Sequence, residues 1–204
     1  MNPLLKESSA PFEAFDFSEL KVEHFIPALE AAIKEAKENL EKLKLETDIT
    51  FDNIILKEET SADRLDLVCE IFYALHSAHC TDELSAIAPE FNEKLTSYAS
   101  DVSLDSELFA KIKETYDKRD RLNLSTEQKT VLENSYQGYV RNGALLNEKD
   151  KEKLIKDLQA EVNQVETYNY QVKKYAPNSQ NQWEKMEFIF DDYIFKYYFL
   201  ISSK

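Results

Sequence analysis

The sequence predicts an all-α fold, a multi-helix antiparallel array, and three observations carry that expectation. Only two glycines, Gly138 and Gly143, occur in 204 residues, where an average chain carries roughly 7% and where sandwiches and barrels need many more for their turns. Apolar residues recur at helical spacing through most of the chain. Capping residues stand directly ahead of several of those periodic runs. Hydrophobic residues make up 43% of the chain and aromatics 12%, which supports a sizeable core in spite of a net charge of −14. At this length one domain, or one plus an appendage, is expected.

Residues 1–21 read as an extended arm. Pro3 and Pro11 interrupt it, no helical period runs through residue 17, and Leu4, Leu5, Phe12, Phe15 and Phe17 are available to dock. Residues 22–165 read as the helical domain. Its first helix runs from Phe25 to Leu45, with Phe25, Ile26, Leu29, Ile33, Leu40 and Leu43 on one face and Pro27 in the first turn, where proline is tolerated. Thr50 is the N-cap of a short segment to Leu56, and Ser61 starts a longer helix over Ala62 to Cys80. Leu65, Leu67, Val68, Ile71, Phe72 and Leu75 cover most of that helix's circumference, which makes it central.

Asp82 is read as the cap of the following helix, through Leu84, Ile87, Phe91, Leu95 and Tyr98, with Pro89 as a kink or restart. Asp105 begins the next, whose stripe is Leu108, Ile112 and Tyr116. Ser125 and Gln128 form a capping box ahead of Val131, Leu132, Tyr136 and Tyr139, and Gly143 occupies a left-handed terminal position. Asn147 opens a last helix through Leu154, Ile155, Leu158, Val162 and Val165. Six or seven helices result, joined by short loops of about three to six residues.

Composition then changes. Residues 166–204 carry five acidic and five basic residues and 11 of the chain's 24 aromatics, without a clean period of 3.6 or of 2. We expect this tail to be poorly ordered and read it as a terminus foreign to the preceding domain, as a changed reading frame would produce; an aromatic docking segment is the alternative.

Charge and motif content exclude several functions. With 39 acidic residues and four arginines, phosphate backbones have no basic surface to meet, so no nucleic-acid partner is expected. The apolar run from Phe188 to Ile201 is broken by Asp191, Asp192 and Lys196 and falls short of the ~18 residues that span a bilayer; no membrane partner is expected. Met1 to Phe17 shows no secretory pattern, so the expected location is cytoplasmic. Cys69 and Cys80 lie about 16 Å apart if both sit on one helix at 1.5 Å per residue, too far for a disulfide, and are expected as reduced, buried thiols.

No catalytic residues emerge. A hydrolytic zinc site needs two His one turn apart with a Glu between them, the H-E-x-x-H pattern, and none of His24, His76 and His79 precedes a Glu. The weak metal candidates are His76, Cys80 and Cys69, which share one side of the predicted helix with Phe72 and Tyr73 but with no carboxylate; a core histidine among buried thiols is the plainer reading. No G-x-S-x-G elbow exists. Gly138 to Gly143 has phosphate-loop spacing but continues Ala144-Leu145 rather than Lys-Ser, and is read as a helix terminus. Lys118, Arg119 and Arg121 follow a helix opening on Asp105 and Glu107, so the helix dipole accounts for them.

Several stretches together are informative. Asn2-Pro3-Leu4-Leu5, Val22-Glu23-His24-Phe25-Ile26-Pro27-Ala28-Leu29, Thr50-Phe51-Asp52-Asn53, Ile71 to Cys80, and Asn142-Gly143-Ala144-Leu145-Leu146 resemble, in this order over about residues 2–160, the opening of the thimet-oligopeptidase-like zinc metallopeptidases, the group of bacterial oligopeptidase A and peptidyl-dipeptidase Dcp. The resemblance implies a helical wall of a deep channel in a clam-like peptidase that admits short peptides, with one zinc held by the two His of H-E-x-x-H and a downstream Glu. Those ligands belong to a later part of the family's sequences. The resemblance therefore implies an N-terminal helical portion, inactive alone, with no cofactor of its own and with apolar surface available for self-association. A stand-alone helical interaction module is the alternative. The chain departs from the family at Lys57-Glu58, where a small and a large apolar residue are usual, which puts the packing of the segment after Thr50 in question.

Overall fold

The computed structural model describes residues 2–6, 15–147, 149–154 and 156. The tail over 166–204, Phe12, and the helix expected beyond residue 156 lie outside the described residues. The described residues are helical and contain no strand, so the all-α reading holds. The chain divides into two units, Met1–Tyr136 and Gln137–Lys204.

In the first unit, α1 spans Phe25–Lys44 and packs against α3, Asp63–Ala78, and α4, Asp82–Ser103. Phe25, Leu29, Leu40 and Leu43 are buried as the periodicity predicts, but Ile26 and Ile33 are only partly so. The rest of the buried face consists of Ala28, Ala32 and Ala36, no more than 1% exposed. Spaced by four residues, these alanines form one line along the helix and allow neighbouring helices to approach closely.

Three rings from three helices meet at the centre of this core. Phe25, Phe72 and Phe91 are each at most 1% exposed. Phe72 stacks on Phe91 with centroids 3.9 Å apart and planes 7° apart, and meets Phe25 edge-on at 5.3 Å. α3 is thus central, although Leu67, expected in the core, stands on its outer side and is exposed.

Residues 2–6 of the N-terminal arm dock on the helices. Pro3–Leu5 form a single 3-10 turn, capped by Asn2, whose Oδ1 accepts from Leu4 N while its Nδ2 donates to the His24 carbonyl at 2.7 Å. Leu4 is fully buried among α1 and α3 residues. Arg64 holds the other side, donating through Nε to Glu35 at 2.7 Å and through a terminal nitrogen to the Leu5 carbonyl at 3.1 Å. Phe15 packs partly against the core, whereas Phe17 faces solvent. Short 3-10 turns at Phe17–Glu19 and Val22–His24 lead into α1.

After α1, Thr50 caps a π-helical turn, Phe51–Leu56, by accepting from Asn53 N at 3.2 Å. The turn continues into the short α2, Lys57–Glu59. Phe51, Ile54 and Ile55 are buried there, so the segment packs in spite of the unusual Lys57-Glu58 pair. Lys57 lies at the surface, 3.1 Å from Glu46, and Glu58 accepts from Ser135 Oγ at 3.3 Å.

Two expected caps differ by a residue or two. Ser61 does not cap α3, whose N-cap is Ala62 without a side-chain bond; the Ser61 carbonyl instead accepts from Asn39 Nδ2 at 3.1 Å. α4 is capped by Thr81 rather than Asp82, Thr81 Oγ1 accepting from Leu84 N at 3.2 Å while Asp82 sits in the first turn, where its charge favours the dipole. α4 runs through Pro89 without restarting, the proline costing one backbone hydrogen bond.

α5, Ser106–Asp117, begins as expected at Asp105, whose Oδ1 accepts from Glu107 N and Leu108 N, both at 2.9 Å. Its buried stripe is Leu108, Phe109, Ile112 and Thr115 rather than Tyr116. Thr115 is tolerated there because its hydroxyl donates to the Lys111 carbonyl at 2.9 Å. Lys44, at the end of α1, reaches Asp105 at 3.0 Å and Glu41 at 2.6 Å. α6, Thr126–Arg141, opens with the reciprocal Ser125 and Gln128 capping box: each backbone N–H donates to the other's side chain, at 3.0 and 3.2 Å.

In the second unit, α6 ends in a Schellman motif, in which Gly143 at φ 91° donates to the Val140 carbonyl and Ala144 to that of Tyr139. Asn147 caps the helical residues 149–154, accepting from Asp150 N at 3.0 Å.

Two substitutions test this account of the core. Phe72→Ala removes the ring shared by three helices and is expected to cost about 3–5 kcal/mol in urea unfolding; a loss under about 1 kcal/mol would contradict the central placement of α3. Asp105→Ala removes a cap and is expected to cost about 1–2 kcal/mol at neutral pH. Burial alone would raise the Asp105 carboxyl, but the Leu108 N–H, the Lys44 ammonium and the Glu107 N–H outweigh it and hold it below its ordinary range. A depressed carboxyl stabilises the fold above its unfolded value and loses that contribution as pH falls through the folded one. The gap between wild type and Asp105→Ala should therefore narrow below about pH 4.

Candidate functional site

The weak metal candidates all derive from α3 and the connector after it. Cys69 is half-buried, and burial, reinforced by the Asp66 and Glu70 carboxylates, pushes its thiol up to about 11. The thiolate is the ligating and nucleophilic form, so Cys69 is held in its inert state. His76, one turn beyond Phe72, lies with its ring 5.8 Å from the Phe72 ring and 24° from parallel. Its neighbour Tyr73 meets Phe72 and Phe91 edge-on, at 5.3 and 5.9 Å, and donates its hydroxyl to Asn92 Oδ1 at 2.8 Å.

Cys80 departs from expectation in position and burial. α3 ends at Ala78; His79 adopts φ −148°, ψ 56°, and Cys80 is exposed, its thiol 3.7 Å from the Thr81 carbonyl. The physical reason is the next helix. Thr81 has to sit in an extended conformation to cap α4, and the chain leaves the helical path of α3 two residues earlier to arrange it. Cys80, though four residues after His76, therefore lies outside α3 and does not share a helical face with it.

His24 lies elsewhere, at the start of α1, where its Nδ1 accepts from Lys21 N at 3.1 Å. Among the described residues no group of three or more His, Cys, Asp or Glu is placed to hold one metal ion, and no buried side-chain nitrogen or oxygen lacks a hydrogen-bond partner. The zinc that the resemblance implies does not fit this donor set. One thiol is half-buried with its pKa pushed up, one imidazole is stacked on a phenyl ring, and the remaining donors are dispersed over separate elements.

The acidic residues have local explanations. Asp63 and Asp66 occupy the first turn of α3, where negative charge is favoured. Partial burial and then the nearby Asp63 and Glu70 raise the Asp66 carboxyl. Tyr98 is pushed up to about 12, mainly by burial, with Asp66 and Glu58 adding to it. A tyrosine held so high stays protonated at neutral pH and is no ready proton acceptor.

Two members of the basic group after α5 have local partners. Arg119 lies 4.3 Å over the Tyr116 ring and donates to the Tyr116 carbonyl at 2.9 Å, while Lys118 pairs with Glu114 at 2.7 Å. Tyr116 itself stacks on Tyr136 with centroids 4.0 Å apart and planes 6° apart. The Gly138 to Gly143 stretch is the C-terminal part of α6 with its Schellman cap, not a phosphate loop.

The polar residues that the sequence reading underrated are structural ones. Asn2 and Arg64 tie the arm to the core, and Lys44 joins α1 to α5. The two thiols allow a direct test of the local geometry. At pH 8 an excess of Ellman's reagent should modify Cys80 rapidly and Cys69 only slowly, with both reacting fast in denaturant. Equal rates in the folded protein would contradict the burial of Cys69.

No family model matches the chain. The dipeptidyl carboxypeptidase of Escherichia coli K12 is 32% identical over 155 residues, which are 76% of this chain and 23% of that protein. Its counterpart in Salmonella typhimurium LT2 is 31% identical over 154 residues, 75% of this chain and 23% of that protein. Oligopeptidase A of Haemophilus influenzae is 25% identical over 185 residues, 91% of this chain and 26% of that protein. The chain spans about a quarter of the length of these curated relatives. Over most of its own length the chain is homologous to dipeptidyl carboxypeptidase and oligopeptidase A.

Proposed function

We propose that this chain is the N-terminal helical portion of a peptide-hydrolysing enzyme of the thimet-oligopeptidase-like family, that it forms part of the wall of the channel admitting short peptides, and that it hydrolyses nothing by itself. The observation that carries this reading is the donor inventory. Neither an H-E-x-x-H sequence nor a convergent set of metal-ligating side chains occurs among the described residues, while homology to two named peptidases covers 75–91% of the chain. Zinc, in this reading, belongs to the full-length enzyme and is held by residues outside these 204. The expected location is the cytoplasm, and among the described residues no helix is long and apolar enough to cross a membrane.

Several leucines are exposed among the described residues. Leu45 at the end of α1 is 80% exposed and Leu56 at the end of the π-helical turn 47%. In the second unit Leu145 is 60% exposed. Singly scattered leucines are ordinary on a protein surface; the self-association expected of the isolated chain rests on the resemblance to a larger enzyme. A stand-alone interaction module would instead run as one discrete species.

The decisive assay uses the purified chain and an internally quenched octapeptide, with added zinc and with a chelator control. No chelator-sensitive turnover is expected. Turnover that zinc supports and chelator abolishes would overturn the proposal, because it would require a competent metal centre within this chain.

A further inference from the structure

We draw no further inference here: the strongest candidate, the outward face of α3 where Leu67 and Tyr73 lie exposed beside Asp63, Asp66 and Glu70, is a partly apolar, acidic helix face, and nothing in the structure shows what covers it.

Discussion

The burial of Phe72 is the constraint on which the rest of the first unit depends. Its ring contacts one ring from α1 and one from α4. Aromatic pairs of this kind contribute about 0.5–1.5 kcal/mol each beyond the area they bury. More important is orientation. A helix whose position 72 points into the core has its rotation set, and with it the direction of every other residue. His76, four residues on, must lie over Phe72, and Cys69, three residues back, must lie at the edge of the core. The side chains that looked most like metal ligands are committed by the same geometry that builds the core. The line of Ala28, Ala32 and Ala36 on α1 serves this arrangement by adding no bulk that would hold α3 and α4 away.

What the sequence made legible was local. Thr50, Asp105, the Ser125 and Gln128 pair and Gly143 each satisfy backbone groups within a few residues of themselves, and their roles follow from the chemistry of helix ends. The extent of α1 followed from its apolar period. What stayed hidden depended on contacts distant in sequence. Alanine gives a weak hydrophobic signal, so the alanine line was invisible until a neighbouring helix lay against it. Arg64, for example, reaches back 59 residues to the Leu5 carbonyl. Where two capping residues stood side by side, as at Thr81 and Asp82, spacing alone did not decide between them. α3 ends at Ala78, so Cys80 lies beyond the helix on which the sequence reading placed it. The candidate site was thus legible as a list of residue types but not as a geometry.

The stretches that carry the family resemblance have definable folding roles. Asn2 to Leu5 forms the docked turn and bonds to the carbonyl of His24, within the second stretch. Thr50 to Asn53 closes a cap, Ile71 to Cys80 contains the central ring, and Asn142 to Leu146 contains the helix terminus. These residues thus serve the helical scaffold of this chain. The ion pairs described around it are mostly at the surface and contribute little individually; that of Lys44 with Asp105 is partly buried and coupled to a helix cap.

The claim that this scaffold holds no metal centre of its own is tested most directly by the metal content of the purified protein. The chain should be loaded with zinc, passed through gel filtration and analysed by elemental mass spectrometry. The account predicts substoichiometric zinc that a mild chelator strips without changing the circular dichroism spectrum. One zinc per chain, retained through filtration and lost only with unfolding, would contradict it.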